Sequence, residues 1–360
     1  MNGYDVVVVG GGIGGLTVAA LLSARGLNIC LLERQSQVGG CVARVEFSGY
    51  DFEPGMGLYT SFGSNGVYER LFSQLPVEAP AVSVMQSPHL LRRADVSDTI
   101  IPGADLYSIA GGPASLAERL AESIKFSGSK VRLDTPVLRL AYDEAGRAIG
   151  VDLLSGERVL ARKAIVSNLT LWDTYGKLVG LNRTPPEIKK QMNSLQGTGV
   201  YVIYAVMEER AVTRLPAIRM RVEDSLGSFT MAVGDSTTPD GKHPVTFTTD
   251  TEVDTWFTYQ SSEEDYDEWD QAALGEFWKR VHTALPELGG DIEIIETANP
   301  RTYYDQTRRK LGMVLGIEGQ PVQSQTTSLP NLFMVGDTVS SAAKIDSVVE
   351  SAFRLVEHIR

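Results

Sequence analysis

A glycine-rich turn near the amino terminus limits the possible folds of this chain more than any other feature. It follows residues 4–9, a run of apolar and mostly β-branched residues that is short enough to be a buried parallel strand. Three glycines of the turn fit the G-x-G-x-x-G pattern: Gly10, Gly12 and Gly15. Apolar residues with helical spacing occupy residues 16–25, and Gly26 is placed to end this helix in a left-handed conformation. The sequence therefore predicts a strand, a tight turn and a helix in immediate succession.

An acidic residue follows at the distance that a dinucleotide site requires. The second predicted strand, residues 28–32, ends at Glu33, eighteen residues after Gly15. Glycines let backbone N–H groups approach a pyrophosphate, the amino terminus of the helix faces its negative charge, and a carboxylate can accept a hydrogen bond from a ribose hydroxyl. A strand-to-helix turn without a ligand would not need Glu33. The pattern predicts a Rossmann-type dinucleotide site, to which Ile13 and Gly14 also belong.

The residues after Glu33 indicate which dinucleotide is bound. Arg34 is followed by the pair Gly39-Gly40, and residues 49–55 read Gly-Tyr-Asp-Phe-Glu-Pro-Gly. This run resembles the second part of the FAD site in the phytoene desaturase, carotenoid isomerase and retinol saturase group, which lies within the wider flavin amine oxidase superfamily. In that group the glycine pair lets the backbone pass close to the cofactor, and the second stretch leads into the flavin pocket. The resemblance implies FAD as the cofactor.

One position departs from the pattern of that group. The group usually carries Arg or Lys where this chain has Cys41, and Arg44 is the candidate for taking over a cationic contact. The resemblance gives four further candidate contacts to FAD: Arg34, Gly39, Gly40 and Val137, whose backbone is expected to meet the adenine end.

A second motif lies near the carboxyl terminus. Residues 331–337 form an apolar run that ends in Gly336-Asp337, and a helix is predicted from Ser347 to Ile359. The resembling flavoproteins end in the same way: the Asp contacts the ribityl or pyrophosphate part of FAD, and the last helix points its positive end at the pyrimidine carbonyl of the flavin. The resemblance covers roughly residues 1–60, 105–170 and 295–360. It implies four more cofactor-binding residues: Gly336, Asp337, Asp346 and Val348.

The residues between this motif and the last helix differ from those of the group. The resembling enzymes are glycine-rich at residues 340–346, whereas this chain has Lys344 and Asp346. Asp346 is placed to cap a helix that begins at Ser347. Two roles stay open for Lys344: it reaches the pyrimidine edge, where a cation stabilises reduced flavin, or it faces solvent.

The periodicity of the whole chain predicts two domains of an α/β protein. A Rossmann-type FAD-binding domain with a parallel sheet and a β-meander is predicted from residues 1–75, 105–175 and 300–360. A smaller α+β substrate domain with an antiparallel sheet is predicted from residues 76–104 and 176–299. The meander and a separate buried strand are expected at 131–133, 137–142, 148–154, 158–160 and 164–167. The antiparallel strands of the substrate domain are expected at 200–206, 218–222, 228–233 and 245–249.

Composition and charge exclude several functions. The formal net charge is −12 and the chain has no large Lys/Arg cluster, which disfavours nucleic acid as a partner. The densest basic run, Arg308-Arg309-Lys310, is interpreted as a solvated turn, and the acidic run at 261–270 as the solvated start of a helix. Four scattered histidines give no metal-ligand spacing, so no metal is predicted.

Location and assembly are less constrained. No run of eighteen apolar residues occurs, so no transmembrane segment is predicted, and a peripheral membrane contact stays open. Cys30 and Cys41 lack a C-x-x-C spacing, and the first strand begins too early to leave room for a signal peptide. A cytoplasmic location is therefore expected, and the oligomeric state is undetermined.

The favoured function is an FAD-dependent oxidoreductase that desaturates, saturates or isomerises a small or apolar organic substrate. In such enzymes the flavin carries the hydride chemistry, and the protein orients the reactants and excludes water. This agrees with the small number of acid–base candidates in the chain. The catalytic side chains stay unassigned, with three candidates: Lys344, Tyr59 and Tyr304.

Two alternatives stay open. A flavin amine oxidase would need an aromatic pair beside the flavin, which four residues can supply: Tyr59, Trp256, Tyr303 and Tyr304. A non-catalytic carrier that resembles the Rab GDP-dissociation inhibitors would share the architecture without using FAD, and the intact glycine motifs argue against it. A pyridine-nucleotide dehydrogenase is disfavoured by the second glycine pair and by Gly336-Asp337.

Overall fold

A computed structural model of the chain describes residues 3–52, 59–84, 89–93, 96–101, 106–194, 197–234, 238, 240–258, 263–313, 324–340 and 344–359. Residues 53–55 of the second glycine motif and residues 341–343 before the last helix lie outside this part. The strands are β1 Tyr4–Val9, β2 Ile29–Leu32, β3 Val45–Phe47, β4 Tyr50–Phe52, β5 Val82–Val84, β6 His89–Arg93, β7 Val96–Ile101, β8 Tyr107–Ile109, β9 Lys130–Arg132, β10 Val137–Tyr142, β11 Ala148–Leu153, β12 Arg158–Ser167, β13 Gly199–Met207, β14 Arg219–Asp224, β15 Gly227–Val233, β16 His243–Thr251, β17 Ile292–Ala298 and β18 Leu332–Met334. The α-helices are α1 Ile13–Ala24, α2 Val67–Phe72, α3 Gly112–Phe126, α4 Leu171–Asp173, α5 Pro186–Ser194, α6 Glu209–Val212, α7 Thr255–Thr258, α8 Glu263–Ala284, α9 Pro300–Thr307 and α10 Ile345–Val356. A π-helix, Thr174–Gly180, follows α4.

The first sheet has a parallel core in the order β9-β2-β1-β12-β18, and β11 and β10 extend it beside β12 as an antiparallel meander. The last four residues of β1, from Val6 to Val9, are buried. This explains the continuous apolar run, because a parallel strand that is covered on both faces has no solvent-facing positions. The strand order reverses between β1 and β12, which is where open α/β sheets bind their ligands.

One strand prediction is wrong. The sequence predicts separate strands at 158–160 and 164–167, but β12 is a single ten-residue strand. Its first part pairs antiparallel with β11, and its second part pairs parallel with β1 and β18. Arg162 and Lys163 interrupt the apolar pattern, and both side chains are exposed at the place where the strand changes partners. Charged side chains therefore mark the change of partner, and the register of the pairing with β1 shifts here, between Ala161 and Ala164.

Helices α1, α3 and α10 cover one face of the first sheet. Helix α1 is buried along almost its whole length, from Ile13 to Ser23, because it lies between the sheet and the other two helices. A helix that is apolar on all sides is stable in this position and in few others. Gly26 ends the turn after α1 with a φ of +84°, as the sequence predicts.

The second sheet has the order β17-β13-β16-β15-β14-β6-β7. Its pairs are antiparallel except for β14 with β6. Its core includes Phe247, Trp256 and the apolar side of α8 at Phe277 and Val281. Helix α8 begins with Glu263, Glu264 and Asp265, all exposed, where acidic side chains favour the positive helix end. The predicted domain boundaries at residues 76, 105, 176 and 300 stay a prediction.

None of the described helices is long and apolar enough to cross a membrane.

Candidate cofactor site

Two glycine segments meet at the carboxyl end of β1. Gly10 has a φ of +98°, and Gly12 forms an isolated parallel bridge with Gly39. The Gly39 amide donates to the Gly11 carbonyl oxygen at 2.8 Å, and a Cβ added to Gly40 would lie 3.3 Å from Gly12 Cα. Side chains at these positions would fill the space that the two backbones share. The glycine pair after Glu33 therefore packs directly on the fingerprint turn.

The carboxyl-terminal motif joins them. A Cβ added to Gly14 would lie 3.0 Å from the Gly336 amide nitrogen, so the backbones of the two motifs touch across more than three hundred residues of sequence. Gly336 has a φ of +110°, which only glycine adopts readily. We name this meeting place the cofactor cradle and define it by six glycines: Gly10, Gly12, Gly14, Gly39, Gly40 and Gly336.

Asn168 lies at the centre of the cradle, and the sequence did not single it out for this role. Its Oδ1 is 2.7 Å from the position of a Cβ on Gly14 and 2.8 Å from that of a Cβ on Gly336, and its Nδ2 is 2.8 Å from that of a Cβ on Gly12. It directly follows β12, at the sheet edge where ligands bind. The sequence signal that could have identified Asn168 is its amide side chain directly after the buried strand.

Helix α1 begins in the cradle. Its N-cap residue, Gly12, makes no side-chain cap, so the first N–H groups of the helix are left without that partner. A helix end of this kind binds phosphate well, because its N–H groups and its dipole both favour negative charge. The cradle therefore fits a pyrophosphate on two counts: close access to the backbone and free helix donors.

Glu33 supports the turn from inside. Its Oε2 accepts a hydrogen bond from the Gly11 amide at 2.6 Å, and its Oε1 accepts one from the Gln35 amide at 2.8 Å. The Thr135 amide donates to the Glu33 carbonyl oxygen at 2.8 Å, which brings the start of β10 and Val137 to the same sheet edge. The structure gives this carboxylate a role in holding the glycine turn, and its contact with a ribose stays a prediction.

The two arginines that are predicted to contact FAD, Arg34 and Arg44, have partners within the protein. The Arg34 guanidinium donates to the carbonyl oxygens of Asp305 and Gln306, both at 3.1 Å. Arg44 pairs with Asp51 at 3.0 Å, with 46% of its side chain exposed. A cationic contact from Arg44 to FAD stays a prediction, and the structure shows this arginine in a surface ion pair.

The interpretation of Arg308-Arg309-Lys310 as a solvated turn is wrong for Arg309. This side chain is only 17% exposed, and its Nη2 lies 2.5 Å from Oδ2 of Asp337. Burial lowers the pKa of Arg309, but the neighbouring Asp337 carboxylate outweighs burial and raises this pKa above its ordinary value. Three consecutive basic residues suggested solvent, and only the fold shows that the middle one faces inward.

The last helix begins earlier than predicted. Helix α10 starts at Ile345 with Lys344 as its N-cap residue, so Asp346 lies inside the first turn and is not the cap of a helix that starts at Ser347. The Asp346 carboxylate accepts hydrogen bonds from Thr60 Oγ1 at 2.7 Å and Ser61 Oγ at 3.1 Å. It therefore ties the start of α10 to the loop before α2. The next residue but one, Val348, is half-buried.

Lys344 is exposed and makes no side-chain cap, which matches its solvent-facing alternative.

The aromatic candidates are not all near the cradle. Tyr303 hydrogen-bonds with Tyr204, and burial raises its pKa well above the ordinary value. Tyr304 instead packs edge-on against Phe257. Among the four aromatic residues considered for an amine oxidase pair, Tyr303 packs against the cluster that contains Phe52 and Tyr204.

The remaining aromatic and titratable candidates have other surroundings. Trp256 lies in the core of the second sheet, stacked on Tyr201 at 5.5 Å, and Tyr59 pairs through its backbone with Tyr107. In the described ranges, no group of three or more His, Cys, Asp or Glu residues is arranged to hold a metal ion.

A groove of about 540 Å³ lies elsewhere, between the meander and the π-helix, and contains none of the cradle residues. It is lined by Arg139, Leu140, Ala141, Tyr142, Asp152, Arg158, Gly176, Lys177, Val179, Gly180, Leu181, Asn182 and Arg183.

Comparison with known proteins decides the family. Residues 8–75 match the sequence model of the NAD(P)-binding Rossmann-like domain, and residues 89–360 match that of the flavin containing amine oxidoreductases. The chain belongs to the flavin-containing amine oxidoreductase family. This membership confirms the predicted family, the α/β fold class with its Rossmann-type domain and FAD as the cofactor. The cradle fits this cofactor for the reasons given above.

Individual relatives agree with that family. The chain is 26% identical over 279 residues to a chloroplastic prolycopene isomerase of Arabidopsis thaliana, covering 71% of this chain and 46% of that protein. It is 42% identical over 73 residues to a carotenoid 3,4-desaturase of Haloarcula japonica, covering 20% of this chain and 14% of that protein. The chain thus spans less than half the length of these curated relatives. The fold is similar to that of an oxidoreductase from Methanosarcina mazei, with a TM-score of 0.72, 14% identity and coverage of 98% of this chain and 99% of that one.

The two cysteines allow a direct check of the cradle. Cys30 is fully buried in β2, and burial raises its pKa to about 11, whereas Cys41 is exposed beside Gly40. At about pH 8, iodoacetamide is expected to modify one cysteine of the native protein, Cys41, because alkylation needs an accessible thiolate. Bound FAD is expected to slow this modification. Peptide mass spectrometry of native and unfolded samples measures both effects, and rapid native labelling of Cys30 would contradict the assignment of β2 to the core.

Proposed function

We propose that the chain is an FAD-dependent oxidoreductase that desaturates, saturates or isomerises a small or apolar organic substrate. The observation that carries this proposal is a buried apolar and aromatic cluster that joins the hairpin after the glycine pair to the second sheet. The prolycopene isomerase and carotenoid desaturase relatives support it, since their names describe conversions of this type. The proposed substrate domain comprises residues 76–104 and 176–299.

The cluster, which we name the aromatic face, comprises Phe47, Phe52, Val202, Tyr204 and Tyr303. The first two belong to the hairpin β3–β4, which follows the glycine pair, and the next two belong to β13 of the second sheet. The Tyr204 ring lies 5.2 Å from that of Phe47 and 5.0 Å from that of Phe52. The aromatic face therefore connects the cofactor loop to the second sheet.

The chemistry of the aromatic face favours an apolar substrate. Burial raises the pKa of both Tyr204 and Tyr303, so both phenols stay neutral at physiological pH and serve as hydrogen-bond groups, without acting as strong bases. When FAD is bound, the flavin supplies the hydride chemistry. In this proposal the aromatic face forms the apolar wall of the substrate site and excludes water from it. A substrate with a cationic amine would find no carboxylate among the residues that define this face.

The proposal also includes the type of substrate and the cellular location. A small-molecule substrate is supported by the match to the flavin containing amine oxidoreductases. A cytoplasmic location is supported by two free cysteines, one buried and one exposed, since an exposed thiol is typical of a reducing compartment.

The test begins with the purified protein, which is expected to be yellow and to release FAD on unfolding. Anaerobic incubation with polyenes such as carotenoids and retinoids is then expected to change the flavin absorbance or to yield isomerised or desaturated product by liquid chromatography. A parallel panel of primary amines tests the amine oxidase alternative. A colourless protein that cannot be reconstituted with FAD would overturn the proposal, and flavin reduction by amines alone would replace it with the alternative.

A further inference from the structure

A buried cation faces the acidic residue of the carboxyl-terminal motif. The Arg309 guanidinium donates through Nε to the Met313 carbonyl oxygen at 2.9 Å and through Nη2 to Asp337 Oδ2 at 2.5 Å. Removing a guanidinium from water is unfavourable unless its charge is paired and its donors are used. Here the charge is paired with Asp337, and both Nε and Nη2 donate hydrogen bonds, so the position of Arg309 is specific.

The turn that carries this side chain has an unusual backbone. Arg308 has a φ of +55° and Leu311 a φ of +53°, a left-handed conformation that residues other than glycine rarely adopt. Gly312 follows, and a Cβ there would lie 2.0 Å from the Pro300 carbonyl oxygen. Such conformations persist where the surrounding structure holds them, and they occur often at ligand-binding sites. This turn directs Arg309 toward a residue 28 positions away in sequence.

The ion pair between Arg309 and Asp337 affects the electrostatics of the cradle. Asp337 directly follows Gly336, so its carboxylate lies beside the cradle that we expect to receive a pyrophosphate. An unpaired carboxylate there would repel the phosphates. Oδ2 of Asp337 is occupied by Arg309, and among the described residues no donor contacts Oδ1.

We propose that Arg309 is a cofactor-positioning residue, an inference that rests on the proposed FAD enzyme. Its guanidinium holds Oδ2 of Asp337 so that Oδ1 accepts a hydrogen bond from a hydroxyl group of FAD. Its positive charge also offsets the carboxylate beside the pyrophosphate.

The test measures the Kd of FAD by titrating apoprotein and following the flavin fluorescence. Arg309→Met is expected to raise Kd by about 30-fold or more, because truncation leaves a buried carboxylate unpaired. The matched control is Arg308→Met. Arg308 is the adjacent arginine, with 46% of its side chain exposed and an ion pair to Asp305 at 2.9 Å. The control is expected to change Kd by less than about 3-fold, since exposed ion pairs contribute little.

Two further variants separate positioning from a merely structural role. Arg309→Lys retains the charge and is expected to recover Kd to within about 5-fold of the wild type. Arg309→Met combined with Asp337→Asn is expected to bind FAD about as weakly as Asp337→Asn alone, because the two residues act as one unit. The double variant leaves no buried charge unpaired, so it remains informative if Arg309→Met does not fold.

The outcomes distinguish this inference from the proposed function. Wild-type affinity in Arg309→Met, or losses in the two single variants that add in the double variant, would overturn the role of Arg309 while leaving the flavoenzyme intact. A wild-type protein that binds no FAD would overturn the proposed function, and this inference with it.

Discussion

Gly12→Asp is expected to abolish FAD binding while leaving the apoprotein as stable as the wild type. Gly12 is the N-cap residue of α1, with a φ of −75° and a ψ of 172°, a conformation that suits aspartate. A new carboxylate there would cap the free helix N–H groups and occupy the place of a phosphate. The nearest atom to its Cβ is the Asn168 amide nitrogen at 2.8 Å, the end of a side chain that can move.

The size of the effect follows from electrostatics. Two like unit charges about 4 Å apart repel by about 4 kcal/mol at an effective dielectric constant near 20. This corresponds to an increase in the Kd of FAD of about 1,000-fold. Capping itself changes the free energy of unfolding by only a few tenths of a kcal/mol between glycine and aspartate, roughly in favour of aspartate. Stability and cofactor binding are therefore expected to separate in this variant.

Gly12→Asn is the control for the volume of the new side chain. Asparagine is similar in shape to aspartate and also caps helices, but it is neutral. It is expected to bind FAD more tightly than Gly12→Asp by at least about 10-fold, the share of the effect that belongs to charge. Apoprotein titration with FAD and thermal unfolding give the two quantities. Equal Kd values for the two variants would show that volume alone blocks the site.

The local parts of the fold could be predicted from the sequence because the signals are local. The run of residues 4–9, the glycines after it and Gly26 define a strand, a turn and a helix without help from the rest of the chain. The antiparallel strands β13 and β16 were predicted within a few residues, since alternating and β-branched patterns persist over their length. Helix α1 begins at Ile13, three residues before its apolar pattern becomes visible, because Gly14 and Gly15 carry no hydrophobic signal.

The residues that were missed depend on contacts between distant segments. Asn168 reaches Gly10 across 158 positions, and Arg309 reaches Asp337 from a turn whose composition suggests solvent. The same holds for Asp346, whose contacts with Thr60 and Ser61 replace the predicted cap. Such partners are determined by how strands and helices are assembled, and the amino acid type alone leaves several partners open.

Gly15→Ala is expected to destabilise the protein strongly, and Gly275→Ala to stabilise it slightly. A Cβ on Gly15 would lie 2.2 Å from the Gly10 carbonyl oxygen and 3.3 Å from Val8 Cγ1, so α1 could not pack on β1 without a shift of the backbone. Such overpacking lowers the free energy of unfolding by about 3 kcal/mol. Gly275 lies exposed within α8 with no atom near its Cβ position, and alanine there raises the free energy of unfolding by about 0.5–1 kcal/mol through helix propensity. Urea unfolding of both variants and the wild type measures the two changes in the free energy of unfolding, which are expected to have opposite signs. A Gly15→Ala variant as stable as Gly275→Ala would mean that the first turn of α1 lies further from β1 than the structure shows. The described geometry of the cradle would then be wrong.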